Sequence, residues 1–152
     1  MALQHIRVVL SGDGNYVHYG DGGGFIDARG GTGNNITAGN GNYRVLGGIG
    51  TACIQLGNGW NQVFVGGNGN YIRMGDGGGI IDAHAGTGSN IAAGNGSYRV
   101  LGGIGTACIQ LGDGWSRVTV GGNGNYVRMG GGGGIVDARG GTGNNIAAGD
   151  GS

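Results

Sequence analysis

A beat of nine residues, nested inside a unit of 55, runs through this chain and constrains it more than any single residue does. Arg44–Gly57 reads R-V-L-G-G-I-G-T-A-C-I-Q-L-G and recurs unchanged at Arg99–Gly112. The pattern G-x-G-N-Y-[VI]-x-x-G stands at Gly12–Gly20, Gly67–Gly75 and Gly122–Gly130. Repetition at a fixed period means one supersecondary unit stacked on itself, each copy burying its apolar face against the next. The whole chain, 1–152, is therefore one repeat domain, with units 11–65 and 66–120 and a partial third at 121–152.

Within the beat, an apolar-x-apolar triplet is followed by a glycine-rich turn. The first apolar residues are Val8, Val17, Ile26, Ile36, Val45, Ile54, Val63, Ile72, Ile81, Ile91, Val100, Ile109, Val118, Val127, Val136 and Ile146. All are β-branched, which favours extended backbone. The spacing is nine except for one ten-residue step per unit, beside Arg29, His84 and Arg139. No window shows a helical period, and Gly interrupts every would-be turn of helix. The expectation is all-β: a parallel β-solenoid of very short strands.

Composition agrees. Gly supplies 45 of the 152 residues, while Lys, Glu and Pro are absent, so every cation is Arg and every anion Asp. The glycines bracket the triplets instead of following a collagen triplet, as a chain that turns every few residues requires. Eight Arg against eight Asp give zero net charge, so there is no basic field for nucleic acid. No apolar run reaches the ~18 residues of a membrane span, and Met1–Leu10 lacks the apolar stretch of a signal peptide. That leaves a cytoplasmic protein, leaderless export to the cell surface or exterior, or an excised fragment.

The number of strands per coil is argued from which residues would stack. Three strands per coil of 27–28 residues, giving 5–6 coils, place like with like in the position before each triplet. One ladder is then Tyr16, Arg44, Tyr71, Arg99, Tyr126; a second is Phe25, Cys53, Ile80, Cys108, Ile135; a third is polar. Like-type ladders between stacked parallel strands are favourable. Two strands per coil mix Tyr, Asn and Cys in one row, so the triangular coil is preferred.

The glycine-rich nonapeptides resemble the repeats-in-toxin (hemolysin-type) family, whose pattern is G-G-x-G-x-D-x-U-x. Gly66-Gly67-Asn68-Gly69-Asn70 and Gly121-Gly122-Asn123-Gly124-Asn125 match its first five positions, and Tyr71 and Tyr126 stand where the family has its calcium-binding Asp. The resemblance implies a glycine-turn solenoid and leaderless export, with calcium as the cofactor to test.

Candidate chemistry is sparse. Asp13, Asp21, Asp76 and Asp113 sit in glycine turns and are the calcium candidates; Asp also tolerates turn backbone and bonds its own main chain, which is the preferred account. Asp27, Asp82 and Asp137 recur along one row without a pocket, so acid–base catalysis is not supported. His5, His18 and His84 fall in different registers and form no zinc set. No enzyme is expected, and no catalytic residue is assigned. Cys53 and Cys108 are taken as small apolar fillers.

The expected function is self-association. One face carries Tyr16, Arg44, Tyr71, Arg73, Arg99, Tyr126 and Arg128; a second carries Phe25, Asp27, Ile80, Asp82, Ile135 and Asp137. Unlike faces on one molecule give propagating contacts rather than a closed dimer. A structural protein forming filaments or a surface layer is the leading reading, with the partner being the chain itself. The alternatives are a calcium-responsive adhesin or toxin module, carbohydrate binding through the tyrosine–arginine face, and ice binding through the Thr turns.

Overall fold

A computed structural model describes residues 6–150, and among them there is no helix. The strands are β1 (Ile6–Ser11), β2 (Tyr16–Tyr19), β3 (Gly24–Gly30), β4 (Asn34–Ala38), β5 (Tyr43–Leu46), β6 (Ala52–Leu56), β7 (Asn61–Phe64) and β8 (Tyr71–Met74). They continue as β9 (Gly79–Asp82), β10 (Asn90–Ala93), β11 (Tyr98–Leu101), β12 (Cys108–Leu111), β13 (Ser116–Thr119), β14 (Tyr126–Arg128), β15 (Gly134–Asp137) and β16 (Asn145–Ala147). Odd-numbered strands form one eight-stranded parallel sheet and even-numbered strands the other, each in chain order.

The chain is thus a parallel β-solenoid, but of eight coils with two strands each. This corrects the triangular coil. Val17 pairs with Ile36 nineteen residues on, Ile36 with Ile54 and Ile54 with Ile72 eighteen on, so the 55-residue unit is three coils. The outward row of the even sheet does mix types: Tyr16, Asn35, Cys53, Tyr71, Asn90, Cys108, Tyr126, Asn145. The solvent-facing rows tolerate unlike neighbours and do not set the coil. The turns decide it, because they alternate between two kinds.

After each even strand from β2 to β12 comes G-[DN]-G, at Asp21, Asn40, Asn58, Asp76, Asn95 and Asp113. Two strands per coil stack these turns in a single column, here called the Asx corner; three would scatter them over every corner. The backbones in that column touch. A Cβ on Gly59 (φ 128°) would lie 2.2 Å from the Gly41 carbonyl oxygen, so only Gly fits. The other turns form the far corner, which holds the extra residue of each unit. There Arg29 and Arg139 fold back onto Asp27 and Asp137, both at 2.6 Å, and His84 contacts Asp82 in the same way.

Between the sheets lies one continuous core. The first residue of every triplet from Val17 to Val127 is buried, as the alternation anticipated. The rows beside it explain the three-coil unit. At the Asx corner the inward positions opening the odd strands run Gly24, Tyr43, Asn61, Gly79, Tyr98, Ser116. Tyr43 and Tyr98 are buried, and each hydroxyl reaches back across a coil that carries only Gly and Ala there, to donate to the Gly20 and Gly75 carbonyls. Burial pushes the Tyr98 hydroxyl above its ordinary pKa. At the far corner Val65 fills the space left by Gly47, whose Cβ would meet Val65 Cγ1 at 2.7 Å. Large side chains in one coil occupy the vacancy of the next, so a single coil cannot be the repeating unit.

Candidate association surfaces

Three regions present repeated chemistry: the two sheet faces and the Asx corner. On the even sheet, Tyr16, Tyr71 and Tyr126 are exposed at three-coil intervals, about 14 Å at ~4.8 Å per strand. Arg73 and Arg128 sit two residues beyond the second and third of them. On the odd sheet the first outward row is Arg7, Phe25, Arg44, Gln62, Ile80, Arg99, Arg117, Ile135. Its second row holds Asp27, Asp82 and Asp137 among Leu46, Phe64, Leu101 and Thr119.

The residues expected on one basic, aromatic face are therefore divided. Tyr16, Tyr71, Tyr126, Arg73 and Arg128 stay together on the even sheet, while Arg44 and Arg99 lie on the odd sheet. Phe25, Asp27, Ile80, Asp82, Ile135 and Asp137 do share a face, the odd sheet, interleaved with Arg44, Arg99 and Arg117. The Arg44 guanidinium lies 5.6 Å from the centre of the Phe64 ring. Cys53 and Cys108 are free, half-buried and three coils apart on the even sheet.

Asp27 and Asp137 are held by neighbours. Arg29 gives Asp27 bonds of 2.9 and 2.6 Å from its side chain and Arg139 gives Asp137 2.8 and 2.6 Å. These guanidinium hydrogen bonds hold both carboxyls down at about 2. Each arginine is raised in turn.

The Asx corner carries a ladder that inspection of single motifs misses. Asp21 Oδ1 accepts the backbone N–H of Asn40 at 2.5 Å, Asn40 that of Asn58 at 2.9 Å, and Asn58 that of Asp76 at 2.7 Å. Asp76 continues to Asn95 at 2.8 Å, Asn95 to Asp113 at 3.0 Å, and Asp113 to Gly131 at 2.8 Å. Asp and Asn alternate freely because only the side-chain carbonyl oxygen is needed. The signal was in the sequence as G-[DN]-G at intervals of 18–19. Asp13, at the far corner, accepts the Thr32 N–H at 2.7 Å. All four calcium candidates thus commit one oxygen to the main chain of the next coil. Among the described residues no three His, Cys or Asp side chains converge as a metal site, and no helix is long and apolar enough to cross a membrane. His5 lies outside the described residues.

Charge is segregated by this architecture. Seven Arg lie in strands and Arg139 just past β15, whereas Asp13, Asp21, Asp76, Asp113 and Asp150 lie in turns. Among the described residues Asp27 and Asp137 are paired with Arg29 and Arg139 and Asp82 contacts His84, while the corner carboxylates and Arg7, Arg44, Arg99 and Arg117 have no ion pair.

No protein-family model, curated protein or solved structure matches this chain.

Proposed function

We propose that the chain is a non-enzymatic structural protein, a β-solenoid that associates with copies of itself into filaments or a surface layer. One observation carries this: a net-neutral solenoid wears its unpaired cations on the sheets and its unpaired anions in the turns, most of them along the Asx corner. Opposite charges that cannot meet within one molecule can meet between two, and zero net charge leaves no long-range repulsion to oppose them. The odd sheet adds the aromatic Phe25 and Phe64 and the Arg row, residue types enriched in protein interfaces, beside the apolar Ile80 and Leu101.

The test is analytical ultracentrifugation and negative-stain microscopy of the purified chain over a range of concentrations, in EDTA and again in Ca²⁺. Concentration-dependent growth into regular assemblies in EDTA is the expected result. A chain that stays monomeric at high concentration refutes the proposal, and assembly only with Ca²⁺ transfers the role to a calcium-responsive module of the repeats-in-toxin kind.

A further inference from the structure

The unpaired Arg and Asp are spaced in coils, and their spacings match in one direction only. Along the Asx corner, Asp21 and Asp76 are three ladder steps apart and Asp76 and Asp113 two. Along the adjoining row of the odd sheet, Arg7 and Arg44 are two coils apart and Arg44 and Arg99 three. At about 4.8 Å per coil both sets span intervals of roughly 14 and 10 Å, in opposite order. Running two solenoids parallel aligns no more than two of the three Asp with Arg; running them antiparallel aligns all three.

We propose that two copies of this chain pair antiparallel along the edge where the Asx corner meets the odd sheet. This rests on the self-association reading and specifies its first contact. Asp21, Asp76 and Asp113 of one copy oppose Arg99, Arg44 and Arg7 of the other, and the two-fold repeats each pair. The carboxylates are available, because their ladder bonds run through Oδ1 and leave Oδ2 without a cation. All six side chains are exposed.

The two-fold falls between the third and fourth coils, at the turn bearing Trp60. Trp60 is 48% exposed and borders a shallow, mainly apolar cleft with Phe25, Asn42, Arg44 and Gln62. An exposed Trp flanked by Arg, rimmed by charge, is the composition of an interface centre. Exposed ion pairs are individually weak and screened by salt, so the pairing is salt-sensitive and Trp60 anchors it.

Sedimentation equilibrium in low salt tests the register. Arg44→Asp is expected to weaken association at least tenfold, Asp76→Arg likewise, and an equimolar mixture of the two to restore it, since each then meets its opposite in the partner. Asp76→Arg also removes a ladder acceptor, so circular dichroism must show that variant folded. Independently of it, Trp60→Cys in a Cys53→Ser, Cys108→Ser background should cross-link to itself on mild oxidation, and Trp115→Cys should not. Association untouched by Arg44→Asp, with no selective cross-link at position 60, overturns this pairing. If Arg73→Asp or Tyr71→Ala on the even sheet then abolishes association, self-association stands and only the register falls. A wild-type chain monomeric throughout removes both.

Discussion

Asn61 offers a test of what fixes one coil to the next. Its side chain is fully buried; Oδ1 accepts the Tyr43 N–H at 2.9 Å, and Nδ2 donates to the Gly57 and Gly59 carbonyls, both at 3.2 Å. Replacing it with Ala strands a buried donor, which costs about 1–3 kcal/mol, and releases two carbonyls in a turn that water can reach, at about 0.5 kcal/mol each. The expected loss is therefore about 2–4 kcal/mol. The chain supplies its own control, because the equivalent position one unit later is Ser116, whose Oγ accepts the Tyr98 N–H at 3.1 Å. Asn61→Ser should keep the critical acceptor and lose only about 1 kcal/mol. Urea unfolding followed by circular dichroism measures all three proteins, with the slope monitored because a solenoid broken at its fourth coil can lose cooperativity. If Ala and Ser cost the same, or if Ala costs under about 0.5 kcal/mol, the bridge between coils is not what holds this corner.

Four further outcomes follow from neighbouring contacts. Ser89 stands where Asn34 and Asn144 accept the N–H of the preceding coil, and its own buried hydroxyl has no partner; Ser89→Asn should raise stability by about 0.5–1.5 kcal/mol in the same urea assay. Gly20→Ala, with open space around it, should be neutral or stabilise by up to ~1 kcal/mol, whereas Gly59→Ala, its Cβ 2.2 Å from a carbonyl oxygen, should leave no folded protein in a thermal melt. Asp27 and Asp137, held at about 2 against an ordinary value of 3.8, contribute stability that is present above ~4 and is lost as pH falls through 2; an acid titration of Arg29→Gln, Arg139→Gln should flatten stability across that window. Removing residues 66–120, one whole unit, should leave a shorter solenoid with the same far-ultraviolet spectrum per residue, while removing 79–97, one coil, sets Tyr98 onto Asn61 instead of Gly79 and should abolish cooperative unfolding.

The sequence carried the architecture class and the core almost completely. A β-branched residue every nine or ten positions can face only one way in a two-residue alternation, and those from Val17 to Val127 are buried accordingly. The closure of the coil was legible too, but in the turns and not the strands. Asp21, Asn40, Asn58 and Asp76 differ in charge yet serve one bond, so grouping residues by charge hid the column that grouping by Asx carbonyl reveals. The residues expected on one basic face are divided because β5, which carries Arg44, pairs with β3 and not with β2. What no pattern of single residues foretold is that the unpaired Arg and the corner Asp would lie on adjoining surfaces, because that depends on the coil closing after two strands.

The three-coil unit then has a steric cause. A solenoid of identical coils must fill its cross-section with the same side chains at every level, and a Tyr that leans back over the preceding coil, as Tyr43 and Tyr98 do, leaves no room for a second Tyr there. Gly79, Tyr98 and Ser116 solve this in turn: one leaves space, one takes it, and one ties the Tyr backbone from the far side. Gly47 and Val65 do the same at the other corner. Because each coil's inward residues are chosen by its two neighbours, a change in one demands changes in both, and only the whole set of three can be copied without loss. Arg44 and Arg99 recur at the same interval, so on the outside that interval is set by packing within the molecule. Any surface that reads the Arg ladder, a second copy of this chain included, must measure distance in multiples that the core has fixed.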